Sequence, residues 1–447
     1  MVDVVGALQT TLREVFAGRP VALVGGPAAG ATERVAQLRS IGVERFLVVA
    51  SNPGTGPQPD GADVAFYELD DFTDPVAEFR AEERAFAAPP SEALAAIDRF
   101  DPDGSAILLA PPFFDVRTFG PRPIFGARRR EWVALEDKTQ ADELFEAADV
   151  AHPPAAVVAA DAAELKAAAA RLDQGGGTVW AADARDGFNG GGLGVRWVRD
   201  VEDEREAVAA LIACSDRVRV APFVEGIPCS VHGFVTGDGV AAFRPVELVT
   251  LRAPEAPRLR YAGCSTFFDP PATDRGEMRD AARRVGEVLR ERVNFRGTFT
   301  VDGILGAEGW VATECNPRFG AALGYVGKVA PELCFPILHH AVVEGVADAP
   351  AAELEAVVVP AADATRWGGA WSIIAKQLRE SVTMEFDDPR GTLTCGPSGV
   401  GGFVRFELPD DTTPGPSVAP IAVAAFARAD QELDLGIGTR VPAAQVR

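Results

Sequence analysis

The stretch "TECNPRFG" (313–320) decides how this chain is read. It sets a carboxylate, an amide and a guanidinium, on Glu314, Asn316 and Arg318, at every second position. The residues between them, Cys315, Pro317 and Phe319, carry no charge. Side chains of an extended segment alternate between faces. As a strand, the stretch would turn three polar groups to one side. Carboxylate and amide oxygens suit a hard cation such as magnesium. An arginine fork grips phosphate or carboxylate.

Asp302 stands twelve positions before Glu314, in "VDGILGAEGWVATECNPR" (301–318). A hairpin around Ala307–Gly309 would bring the two carboxylates within side-chain reach. Asp302, Glu314 and Asn316 are therefore the candidate magnesium ligands, and Arg318 is the candidate catalytic residue. A hairpin with a plain Glu314–Arg318 ion pair would carry the same pattern.

Three further stretches precede the hairpin. "DGFNGGGLGV" (186–195) holds Gly190, Gly191 and Gly192 between two strand-like runs. Such a loop lets backbone N–H groups close over phosphates, although a hairpin tip reads the same way. Lys138 opens a helix behind Asp137, where a solvated lysine is the plainer reading. "VAPFVEG" (220–226) is an apolar strand running into a Glu-Gly turn. Its backbone could meet an adenine edge, or it could be a core strand.

Taken in order, these pieces resemble the ATP-grasp superfamily over roughly residues 130–345. The matching parts are Lys138, "GFNGGGLGV", "APFVEG", Asp302 and "ECNPRFG". The layout is most similar to the amino-acid and peptide ligase branch, the peptide ligases of the pheganomycin type. The resemblance implies an ATP-dependent ligase with ATP between two subdomains and two magnesium ions at Asp302, Glu314 and Asn316. A carboxylic acid would be activated as an acylphosphate, with release of ADP, and an amine (an amino acid or peptide) would displace phosphate. Arg318 would hold the acylphosphate. ATP would be met by Lys138, by Gly190, Gly191 and Gly192, and by Pro222, Val224 and Glu225 of the hinge. Where the family carries a second lysine, the strand reads "VWAADARDGF", and Arg185 is the candidate substitute. Ala221 and Pro222 replace the first acidic residue of the hinge, leaving Glu225 for the ribose. A carboxylase-type enzyme making carboxyphosphate and a degenerate nucleotide-binding protein are the alternatives.

The rest of the chain bounds this reading. A length of 447 residues exceeds one core. Alternating short apolar runs and helical segments over 1–130 predict a Rossmann-like α/β unit that resembles the pre-ATP-grasp domain. An α/β and α+β multidomain chain follows. The core spans 131–350, with a first subdomain at 131–218 and a second at 219–350, and a small C-terminal unit covers 351–447. "VALVGGPAAGAT" (21–32) has P-loop spacing but Ala31 where the lysine belongs, so it reads as a plain βα turn. A formal charge of −22 argues against nucleic acid or an anionic membrane as partner. Six scattered cysteines form no CxxC pair, and the acidic, helical start is unlike a secretory leader. A cytoplasmic protein is expected, with a homodimer as the candidate assembly.

Overall fold

Val21–Val24, Phe46–Ala50 and Ile107–Leu109 are short apolar runs, too brief for helices and buried on both faces. Runs of this kind form parallel sheets covered by helices on each side. In the computed structural model, which describes residues 4–69, 75–112, 114–185, 192–254, 256 and 258–443, they do so. The strand order is Asp63–Phe66, Phe46–Ala50, Val21–Val24, Ile107–Leu109, all parallel. Val21 and Leu23 pack under helices Val4–Phe16 and Thr32–Ser40, whereas Ala22 and Val24 pack under Ser91–Phe100. This is the Rossmann-like unit expected from the sequence.

Two antiparallel sheets follow. The first has the order Ala156–Ala159, Arg217–Pro222, Thr178–Ala182, Val195–Val198. Alternation divides its faces. Trp180, Ala182, Val218 and Val220 pack on helices Ala162–Leu172 and Val201–Cys214, while Val179, Ala181, Arg219 and Ala221 face a cavity. Asp161 caps the first of these helices, accepting from the N–H groups of Ala163 and Glu164 at 2.9 and 3.2 Å.

The second sheet runs Arg260–Ser265, Val246–Arg252, Ile227–Val235, Gly297–Gly306, Gly309–Asn316. Its core face carries Cys229, Val231, Phe299 and Val301 against the long helix Ala272–Val293. The other face looks across the same cavity at the first sheet. An antiparallel sheet of Gly369–Ile374, Gly401–Glu407, Arg390–Ser398 and Val382–Asp387 closes the chain with helix Ala419–Leu433, and shares a core with Val249 and Leu251. Among the described residues, no single helix is long and apolar enough to cross a membrane.

Candidate active site

The hairpin expected around Ala307–Gly309 is present, with strands Gly297–Gly306 and Gly309–Asn316 and Asp302 directly opposite Glu314. Simple alternation would nevertheless misplace the acid. Trp310, Ala312, Glu314 and Asn316 share one parity, and Trp310 and Ala312 are in the core. A bulge resolves the conflict. Asp302 pairs with Glu314 while Gly303 pairs with Ala312, so Thr313 is the extra residue. A bulge re-aims the side chains beyond it. Cys315 takes the core position, and Glu314 and Asn316 swing to the cavity beside Asp302 and Thr300. Gly303 is required at this kink, because a Cβ there would collide with the Val311 carbonyl and the Trp310 ring. The strand ends at Asn316. Arg318 lies beyond it, in a turn where its N–H donates to the Asn316 carbonyl at 2.8 Å. The turn, not the alternation, brings the guanidinium to the row.

A continuous polar chain runs through the site. Ser230 donates a short hydrogen bond to Asp302 Oδ1. Asn316 Nδ2 donates to Asp302 Oδ2 at 2.9 Å, and Arg318 Nη2 donates to Asn316 Oδ1 at 3.0 Å. Arg318 Nε lies 3.3 Å from Glu136 Oε1, and Arg128 pairs with the same carboxylate. Beside this chain, Lys138 Nζ donates to Glu314 Oε1 at 2.7 Å. Burial, and after it the facing Glu314, pushes Asp302 up to about 6. Burial would also raise Glu136, but Arg318 and Arg128 together hold it below the usual carboxylate range.

Two apposed carboxylates balanced by one lysine are what a divalent cation relieves. Among the described residues no group of three or more His, Cys, Asp or Glu is placed to hold a metal. The donors on offer are Asp302 and Glu314, with the Asn316 oxygen now turned to Arg318. All are hard oxygens, and few in number. That fits magnesium, which takes one or two carboxylates and completes its shell with phosphate and water.

The cavity measures about 1100 Å³. Of the residues singled out in the sequence, Lys138, Gly192, Pro222 and Val224 line it, together with Asp302, Glu314, Asn316 and Arg318. Gly190 and Gly191 lie outside the described residues. Gly192 has φ +83°, and a Cβ on it would strike the Leu259 carbonyl at 2.5 Å, so Gly192 lies against the segment leading into strand Arg260–Ser265. Glu225 is not among the residues lining the cavity. Neither is Arg185, which is carried past the end of its strand to pair with Asp216 at 3.0 Å and donate to the Ala213 carbonyl at 2.8 Å.

Sequence reasoning missed Ser230, Glu136 and above all Arg219. Arg219 sits opposite Ala181 in the sheet register and lines the cavity at 6% exposure. Asp142 fixes its guanidinium through Nε at 2.9–3.0 Å and Nη2 at 2.6 Å, and among the described residues nothing accepts from Nη1. The signal was legible in "RVRVAP" (217–222), where Val218 and Val220 mark the core face and leave Arg219 on the other.

Two antiparallel sheets thus enclose one cavity, with acids on a late hairpin and Lys138 and Gly192 across from them. The ATP-grasp domain family matches residues 136–322, and the chain carries an ATP-grasp domain. Solved structures repeat the fold. The ADP complex of the N5-carboxyaminoimidazole ribonucleotide synthetase PurK is 13% identical, covering 94% of this chain and 98% of its own, at TM-score 0.54. Phosphoribosylamine–glycine ligase from Thermotoga maritima is 14% identical, with 95% and 98% coverage, also at 0.54. N5-carboxyaminoimidazole ribonucleotide synthetase from Thermus thermophilus is 14% identical, with 92% and 98% coverage, at 0.51. At these identities the likeness speaks for the fold. No curated protein matches the chain in sequence.

Proposed function

We propose that this protein is an ATP-dependent carboxylate–amine ligase acting through an acylphosphate. The observation that carries the reading is the row itself: Asp302 opposite Glu314, then Asn316 and Arg318, in a cavity that Lys138 and Arg219 also line. The neighbours named as ligase and synthetases agree with C–N bond formation.

In the first step a carboxylate oxygen of the acid attacks the γ-phosphorus of ATP, and ADP leaves. In the second the amine attacks the carbonyl carbon, the C–O bond to phosphate breaks, and the nitrogen gives up a proton. Phosphoryl transfer asks the protein for position and charge compensation. Lys138 and Arg219 supply cations toward the phosphates from the first sheet's side. Asp302 and Glu314, with Asn316 beside them, would hold magnesium, which when bound neutralises phosphate charge. Ser230 fixes Asp302, and Glu136 fixes Arg318 in the turn. Arg318 holds the acyl phosphate and donates to the oxyanion formed as the amine adds. The apolar face of Val179, Ala181 and Ala221 excludes water beside the nucleotide.

The test is ADP release across acid–amine pairs, with hydroxylamine as a trap. One ADP and one phosphate per amide, and a hydroxamate in the trap, are expected. AMP as the stoichiometric product would overturn the mechanism. A thermal shift with Mg·ATP but no turnover for any pair would favour the degenerate nucleotide binder instead.

A further inference from the structure

The far end of the cavity belongs to the N-terminal unit. Its parallel sheet runs outward from Val21–Val24 through Phe46–Ala50 to Asp63–Phe66, then returns on the other side at Ile107–Leu109. Open parallel sheets bind ligands at the carboxyl ends of their strands beside such a reversal, where the departing loops separate into a crevice. Here Gly25, Gly26 and Pro27 leave one central strand and Pro111 and Pro112 follow the other, and all five line the cavity shared with Asp302 and Arg318.

Arg34, on the first turn of helix Thr32–Ser40, lines the same end. Among the described residues it makes no hydrogen bond or ion pair, and its Nη1 is shut off from solvent. The adjacent carboxylate does not close on it, because Glu33 Oε1 accepts instead from Gln37 Nε2 at 3.1 Å. The other arginines discussed at the site are tied: Arg318 and Arg128 to Glu136, Arg219 to Asp142. Burial lowers the Arg34 guanidinium to about 10, which leaves it charged at neutral pH. Arg34 as a whole is only partly buried, but a charged group with a shielded, unpartnered donor still destabilises a fold. Cost of this kind persists where a ligand relieves it.

We propose that this crevice binds an anionic group of the substrate, a second carboxylate or a phosphate distinct from the reacting carboxyl, with Arg34 as its partner. The proposal rests on the ligase reading for the reacting end at Arg318, and extends it by naming the substrate as an acid with a further anion.

The test reads binding apart from turnover. Isothermal titration of the full chain, saturated with Mg·ADP, uses glutarate, inorganic phosphate and butyrate as probes on wild type and Arg34→Gln. Glutarate, phosphate or both should bind wild type about tenfold or more tighter than the variant, the worth of one charge-assisted contact. Butyrate should not distinguish the two proteins. A loss confined to glutarate assigns a carboxylate, and one confined to phosphate assigns a phosphate group. Equal binding of every probe to both proteins would overturn the proposal. The probe-free Tm of Arg34→Gln should equal or exceed that of wild type, since an unpaired charge is removed. A lower Tm would make Arg34 a structural residue and also overturn it. Anion binding through Arg34 with no ADP release for any acid–amine pair would leave this inference standing and fail the ligase reading.

Discussion

Lys138 and Arg34 are cations on the walls of one cavity, in opposite states. Lys138 is 8% exposed and already holds Glu314 at 2.7 Å. Arg34 holds nothing among the described residues. The difference follows from what surrounds each. The hairpin sets Asp302 opposite Glu314 with Lys138 already on Glu314, so on the proposed reading an incoming cation would release Lys138 toward phosphate. The N-terminal crevice presents a guanidinium whose neighbouring Glu33 accepts instead from Gln37, which on the inference above leaves room for an anion. One region holds its charges in a paired network, and the other leaves a guanidinium without a hydrogen-bonded partner among the described residues. A substrate bridging them would be oriented by both.

The comparison breaks most sharply at Glu314. Glu314→Ala should abolish ADP release and magnesium-dependent ATP binding, with the circular dichroism spectrum unchanged. Wild-type turnover that persists in excess EDTA would remove the cation from the hairpin altogether. Arg318→Ala comes next. Loss of a charge-assisted donor to the oxyanion should lower kcat by about 10²–10³-fold, with ATP affinity little altered. Arg318→Lys should recover little, because a point charge cannot reproduce a fork that reaches Asn316 and Glu136 together. A fully active Arg318→Ala enzyme would remove the residue from the chemistry.

A smaller effect is expected on the facing wall. Arg219→Gln should raise the KM for ATP about tenfold and change kcat less, as measured by steady-state ADP release. Arg185→Gln should leave both constants where they are, since Arg185 turns to Asp216 away from the cavity. If the two variants exchanged behaviours, the facing-wall assignment would be reversed. The smallest effect sharpens the contrast by leaving the site alone. Asp161→Ala removes the cap of helix Ala162–Leu172 and should cost about 1 kcal/mol of stability. Denaturant midpoints should register it while the kinetic constants stay put.

Much of the hairpin was legible because its chemistry is local. Asp302 and Glu314 lie on sequential strands joined by a short turn, so a count of residues nearly suffices to pair them. The N-terminal α/β pattern was legible for the same reason, since each strand and helix announces its own period. Arg185 lies near Asp183 in sequence, where a cation was expected at the cavity, yet the structure turns it to Asp216. The sheet instead ends at Ala182, and the Asp183 carboxylate accepts from the N–H groups of Asp216 and Arg217 at 2.9 and 2.7 Å. The cation facing that wall came from Arg219, in register with Ala181 but 38 positions along the chain.

The elements, the antiparallel hairpin and the candidate acids with Arg318 could be read from the chain alone, because periodicity, turn residues and side-chain chemistry act over a few positions. Tertiary structure alone decided where those groups point. The core takes Trp310, Ala312 and Cys315 on one face, which no unbroken alternation permits, and so packing forces the bulge at Thr313 that delivers Glu314 to Asp302. Only the meeting of the N-terminal unit with the second sheet decided that Arg34 would share a cavity with Arg318. Burial and charge balance are sums over neighbours brought from distant parts of the chain, and no local pattern encodes them.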